Sequence, residues 1–319
     1  MGYWTTGISS QSPNKIPMIN TYSNQAKLVL RILPFLSAFP QFALKGGTAI
    51  NYFIRPFPRL SVDIDLTWLP LADRQTTLLE ISKSLRQLTA NIRIRNSDYK
   101  IIPKKMTNHT VALRISDGNV VIKVEPNLVI RGAVYEVQIK ELVNEAEDEL
   151  ELYASAQCLS IEDLYAGKIC AALDRQHPRD LYDIKLLLDN EGITERIRQA
   201  FVVYLASHPR PMSELLEPNF KDIAAIYETE FRGMTRVDIP MKQLQTAREQ
   251  LIKQIRTDLT KNERLFLLSI KQGEPQWDQL PLPGIHELPA IRWKIFNIKK
   301  MQATKRKIAE EKLQHILEL

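Results

Sequence analysis

Asp63 and Asp65 stand two residues apart in the run Leu60-Ser61-Val62-Asp63-Ile64-Asp65-Leu66. On an extended chain Leu60, Val62, Ile64 and Leu66 take one face, while Ser61, Asp63 and Asp65 take the other. Residues so spaced lie about 6.5 to 7 Å apart at Cα, close enough for two carboxylates to converge on something between them. Like charges that near each other are destabilising unless a proton or a cation intervenes, and an all-oxygen donor set suits Mg²⁺ or Mn²⁺. A plainer reading makes them two surface acids on an exposed strand. Upstream, Lys45-Gly46-Gly47-Thr48-Ala49 leads from the apolar run Phe42-Ala43-Leu44 into the helix start Ile50-Asn51-Tyr52-Phe53. A glycine pair lets a ligand approach the backbone, and the amides of Gly46 and Gly47 with the Thr48 hydroxyl could hold phosphate at a helix N-terminus. Together the two segments propose a nucleotide polyphosphate gripped by the turn, with its divalent ion on Asp63 and Asp65.

Other candidates follow along the chain. Glu125 ends the strand pattern Val120 to Glu125, sharing a face with Val121 and Lys123; it is either a solvated strand-end acid or a third carboxylate. Lys168 falls on the apolar side of a helix with Ile161, Leu164 and Ile169, where a buried ammonium needs an anion, either a carboxylate or a bound phosphate. Asp180 and Asp183, in Arg179-Asp180-Leu181-Tyr182-Asp183, lie one turn apart near a helix start, where capping is the simple explanation for one of them. Arg55 and Arg59 follow the glycine turn closely enough to reach phosphate, or equally to pair with acids of the core.

At these residues the sequence resembles a family. Gly-Gly-Thr followed by Asp-Ile-Asp-Leu resembles the polymerase-beta-like nucleotidyltransferase superfamily. GGTA, Arg55, PRLSVDIDL and RDLYD resemble its AbiEii branch, the abortive-infection and type IV toxin nucleotidyltransferases to which MenT-like toxins are related. The resemblance runs from about Leu44 to Asn297. Gly-Gly-Thr replaces the commoner Gly-Ser, and the interval from Gly47 to Asp63 is a little long, which favours the toxin branch over antibiotic-modifying relatives. The resemblance implies an α+β fold: a nucleotidyltransferase core over residues 1–155, a mixed sheet flanked by helices, and a mainly helical C-terminal domain over 156–319. It implies a metal-dependent enzyme of phage defence that moves a nucleoside monophosphate from a nucleoside triphosphate to a hydroxyl. RNA, above all the tRNA 3′ end, is the implied acceptor; protein nucleotidylation and triphosphate binding without chemistry are the rivals. It assigns Glu125 to the metal or to general-base work, Lys168 to the triphosphate, and Asp180 with Asp183 to orienting Lys168 or the base and ribose. A cognate antitoxin encoded nearby is implied as well.

The elements that must carry these residues are legible in outline. An apolar side in Leu28, Leu30, Ile32, Leu33 and Leu36 predicts a helix over 20–38, kinked at Pro34. Leu71, Leu78, Ile81, Leu85 and Leu88 predict an amphipathic helix against the sheet. Branched residues predict strands at 92–95, 100–102, 111–115 and 120–125, the last two joined by a tight turn at Ser116-Asp117-Gly118-Asn119. From Ser160 the period is helical: Ser160 and Asp163 resemble a capping box, 175–178 is a loop in which His177 has no obvious partner, and helices follow around 197–205, 220–226 and 241–259. A proline-rich loop spans 273–289, and 289–297 is similar to the family's closing element. From Arg292 to Leu319 eight Lys and Arg oppose three Glu, a helix that could follow an RNA backbone or simply be solvated.

Composition narrows the class. Two cysteines, Cys158 and Cys170, without CxxC spacing or a histidine cluster argue against a disulfide framework and structural zinc. No apolar run nears 18 residues and the segment Met1 to Lys15 lacks a signal-peptide stretch, so the expectation is a soluble cytoplasmic protein with no membrane role. A net charge of +6 is compatible with nucleic acid or nucleotide partners but too small to require them.

Overall fold

The computed structural model describes residues 20–319; the expectation about Met1 to Lys15 falls outside them. One mixed sheet organises the chain. Its strands are β1 (Phe42–Lys45), β2 (Ile64–Trp68), β3 (Lys100–Met106), β4 (His109–Ser116), β5 (Val121–Asn127), β6 (Gln138–Glu141) and β7 (Ser155–Cys158), in the order β3-β4-β5-β2-β1-β7-β6. β2 runs parallel to β5 and β1 parallel to β7; the other neighbours are antiparallel. The expected boundary at 155/156 falls at the first residue of β7, which pairs with β1. With the helices this is an α+β fold.

Around the sheet lie α1 (Asn20–Ile32), α2 (Gly46–Phe53), α3 (Arg74–Arg95) and α4 (Asn144–Leu150). After β7 come α5 (Ile161–Asp174), α6 (Pro178–Asp189), α7 (Glu195–Ser207), α8 (Met212–Leu216), α9 (Ala224–Glu230), α10 (Met241–Asp258), α11 (Lys261–Gln272), α12 (Pro289–Lys300) and α13 (Ala303–Ile316). The predicted helix over 20–38 divides as Pro34 requires, α1 passing into a 3₁₀ turn at Leu33–Ala38. A contiguous set of buried apolar residues extends from Ala26 to Leu317.

Several local expectations are corrected. The strand predicted at 92–95 is the last turn of α3, because Ile92 continues the stripe Ile81, Leu85 and Leu88, all fully buried, on the helix packed against β4. Each such side chain contributes roughly 1.5–3 kcal/mol by burial, more than the β preference of one branched residue. Asp73 caps that helix, so Leu71 lies ahead of it. The helix predicted at 220–226 begins at Ala224 instead, and β2 begins only at Ile64. Residues 60–63 lie outside the strand and are held by other partners: Leu60 N donates to Met234 O and Ser61 N to the Tyr52 hydroxyl. Ser160 does cap α5 by accepting from Asp163 N, but the Asp163 carboxylate does not close a capping box. It accepts from Val134 N and Tyr135 N, both at 2.9 Å, and so ties α5 to the loop before β6. No helix among the described residues is long and apolar enough to cross a membrane.

Candidate active site

Asp63, just before β2, and Asp65, its second residue, line a cleft of about 630 Å³ between the sheet and α5–α6. The alternation expected there holds, with Ile64 and Leu66 buried on the opposite face. The parallel pairing of β2 with β5 sets Glu125 in register beside Asp65, and both line the cleft. On the other side, antiparallel pairing sets Lys45 in register with Asp65. Burial depresses the Lys45 ammonium, with Asp65 acting in the opposite sense. Asp63 is raised above the usual carboxylate range, first by burial, with Asp65 adding to it against the pull of Lys123 and Arg179. One Asp63 oxygen accepts from Lys123 N at 3.3 Å. Asp63, Asp65 and Glu125 form no ion pair among the described residues.

The glycine pair lines the cleft, but the reason for it differs from the one the motif suggests. Gly46 has φ +70°, and a Cβ there would come within 2.5 Å of Asp65 Oδ2; at Gly47 it would come within 2.6 Å of the Arg59 guanidinium and 2.9 Å of Ser61 Oγ. The space is given to the protein's own charged groups. Thr48 corrects the expectation of a phosphate-binding hydroxyl: it is buried outside the cleft lining, and its Oγ1 donates to Asp63 O at 2.6 Å. Thr48 thus fastens the start of α2 to the residue that carries the first carboxylate.

The helical wall is an ion network. Lys168 Nζ lies 2.9 Å from both Asp180 and Asp183, so of the two anions anticipated for it the fold supplies carboxylates. Asp180 also accepts from the Arg175 guanidinium, at 2.9 Å from Nη2. Asp183 accepts from Arg59 through both oxygens, at 2.7 and 2.6 Å, and from Asn51 Nδ2 at 3.2 Å; Asn51 in turn donates to Gly47 O. Asp180 and Asp183 are fully buried, which alone would raise their pKa values. Lys168 with Arg175 for the first, and Arg59 with Lys168 for the second, outweigh that burial and hold both below the usual range. Asp183 itself is absent from the lining of the cleft, where Lys168, Asp180 and Arg59 appear.

Arg55 is not brought in. Its guanidinium pairs with Glu191 and donates to the Tyr165 hydroxyl at 2.7 Å, a pairing with a protein acid as in the alternative for it, although Glu191 is exposed and not in the core. His177, in turn, has partners: Nδ1 accepts from Arg179 N and caps α6, while Nε2 meets Glu230 at 3.1 Å. Lys45, Lys104, Lys123, Arg175 and Arg179 also line the cleft and were missed as candidates. Lys123 had a signal, its shared face with Glu125; Lys45 had none, because only strand register sets it beside Asp65. The oxygen donors suit a hard divalent cation, and the clustering of Asp63 with Asp65 gives a reason for one. No group of three or more His, Cys, Asp or Glu among the described residues is already drawn together around an ion position.

A mixed sheet carrying adjacent carboxylates, faced across one cleft by Lys168, Arg175 and Arg179 of the helical wall, defines an α+β protein with an acidic and basic cleft. The family model for the AbiEii nucleotidyl transferase toxin of type IV toxin–antitoxin systems matches residues 27–295, and the chain belongs to that family. It is therefore a nucleotidyltransferase toxin by family. No curated protein sequence matches it. Among solved structures it is similar to MenT4, a nucleotidyltransferase toxin of Mycobacterium tuberculosis, at 14% identity and a TM-score of 0.58 over 92% of this chain and 93% of that one, which shows the shared fold. A terminal uridylyl transferase 4 of Trypanosoma brucei with bound dUTP aligns over 93% of each chain at 12% identity, with a TM-score of 0.31.

Proposed function

We propose that this cleft transfers a nucleoside monophosphate from a nucleoside triphosphate to an RNA hydroxyl, with the tRNA 3′ end as the acceptor. The observation that carries the reading is the pairing of β2 with β5, which brings Asp63, Asp65 and Glu125 onto one cleft, with Lys123 beside them on β5 and Arg175 and Arg179 across from them. Asp63 and Asp65, with Glu125 beside them, would hold Mg²⁺ or Mn²⁺; when bound, such an ion stabilises negative charge on phosphoryl oxygens. Lys123, Arg175 and Arg179 meet the phosphate tail, and the amides of Gly46 and Gly47 border it. Lys168, held by Asp180 and Asp183, presents its charge from a fixed position and adds to the field without leaving its partners.

The acceptor oxygen attacks the α-phosphorus in line with the bond to the β-phosphate. An O–P bond forms as the Pα–O bond breaks, and pyrophosphate departs with the electron pair. Glu125, in register beside Asp65, would take the hydroxyl proton where it does not serve as a ligand of the ion. Adding nucleotides to a tRNA 3′ end would block aminoacylation and so account for toxicity, and the family context adds a cognate antitoxin. The test is incubation of the purified protein with each labelled nucleoside triphosphate, Mg²⁺ and either total tRNA or a cell lysate, with Asp63→Ala as control. Label in tRNA that disappears in the variant is expected. Label entering only protein overturns the RNA acceptor, and label retained by Asp63→Ala overturns the site.

A further inference from the structure

A second cavity, of about 1060 Å³, adjoins the carboxylate cleft. Its walls are Leu71 to Arg74 before and at the start of α3, the segment after β5 with Leu128 and Val129, and α12 with Arg292, Trp293 and Phe296; Leu128 lines both cavities. α12 buries one side through Ala290, Ile291 and Ile298, yet it leaves Trp293 61% and Phe296 44% exposed. The two rings are stacked, 5.5 Å between centroids and 22° between planes, and the Lys300 ammonium lies 4.2 Å from the centre of the Phe296 ring. Residues 293, 296 and 300 recur at helical spacing, so aromatic and cationic groups share one face. Arg74 and Arg292, at the rim, form no ion pair among the described residues. Of the two acids in the lining, Asp73 is already engaged, accepting from Gln75 N and Thr76 N as the cap of α3; the other is Glu287.

Exposed stacked rings over an apolar floor offer π faces to bases, and unpaired arginines at the edge offer charge to phosphates; that combination suits an unpaired nucleotide strand. A peptide would use the apolar floor but leave Arg74, Arg292 and Lys300 without a phosphate to meet. We propose that this face of α12 holds the single-stranded end of the acceptor RNA, with one base stacked on Trp293, the backbone against Arg74 and Arg292, and the terminal hydroxyl reaching the carboxylates past Leu128. The inference rests on RNA being the acceptor and adds where and how its unpaired end is gripped.

The test is fluorescence anisotropy of the full chain with a short 5′-labelled single-stranded RNA and with a blunt duplex, beside binding of a fluorescent nucleoside triphosphate. The same measurements are made for Trp293→Ala, Trp293→Phe and Arg292→Ala, each checked by thermal melting. The wild type binds the single strand more tightly than the duplex. Trp293→Ala weakens single-strand binding about 10- to 100-fold, the scale of one lost base–aromatic stack, while Trp293→Phe keeps most of it and triphosphate binding is unchanged in both. Arg292→Ala lowers the slope of log affinity against log salt by about 0.7, one phosphate contact. Single-strand binding that Trp293→Ala leaves intact overturns the stacking site while the RNA reading stands. A wild type that binds neither RNA and labels only protein overturns the acceptor reading, and this inference with it.

Discussion

The two walls of the cleft carry similar residues in opposite condition. On the sheet, Asp65 and Glu125 face the cavity with no ion-pair partner among the described residues, and the Asp63 carboxylate accepts from the Lys123 backbone amide. On the helices, Asp180 and Asp183 are fully buried and saturated by Lys168, Arg175, Arg59 and Asn51. One wall stores unspent charge. The other has used its charge to hold α2, α5 and α6 together behind the glycine turn. A ligand cation belongs where negative charge is uncompensated, whereas the ion network contributes position and rigidity, with Arg175 alone of its members largely exposed and free to meet phosphate.

Breaking the sheet wall should have the largest effect on chemistry. Asp65→Ala is expected to lower nucleotide transfer by at least about 10³-fold, from loss of several kcal/mol of transition-state stabilisation, with the melting temperature little changed, because relief of the like-charge contact with Asp63 offsets the loss of Lys45's neighbouring acid. Labelled triphosphate incorporation and a thermal melt measure both. If the variant unfolded instead, the contrast between the walls would be wrong.

The helical wall should respond the other way. Asp183→Ala leaves Arg59 and Lys168 buried without their shared anion, at a cost of roughly 3–5 kcal/mol, readable as a lower denaturation midpoint before any assay of transfer. The same network sets an acid limit. Asp180 and Asp183 have folded-state pKa values below their unfolded ones, so their stabilisation is complete above about pH 4 and is lost as pH falls through the folded values. Melting curves taken downward from pH 5 should show the wild type losing stability more steeply than Asp183→Ala.

Two smaller effects sharpen the comparison. Gly46→Ala combines a left-handed backbone, costing about 1–2 kcal/mol, with a methyl against the Asp65 carboxylate; transfer should fall about 10- to 100-fold with only a modest loss of stability. Arg55→Ala, remote from the cleft, should leave triphosphate binding within about twofold of wild type while loosening the contact of α2 with Glu191 and Tyr165. A large loss of binding in that variant would return Arg55 to the site.

Local period and residue type were enough to read part of this molecule from its chain. The alternation through Asp63 and Asp65, the need of Lys168 for an anion, the tight turn between β4 and β5 and the amphipathic α3 all follow from chemistry within a few residues of each position. Local period misleads where distant packing outweighs propensity, as at Ile92, whose branched side chain finishes a helical stripe. Which charges meet was settled by the fold alone. The register of β1, β2 and β5 puts Lys45 and Glu125 on either side of Asp65; Thr48 turns to Asp63 O, and Arg55 and Arg59 divide between Glu191 and Asp183. These partners are set by strand pairing and helix docking between segments far apart in the chain, and a local pattern holds no information about which buried charge will find which counter-charge.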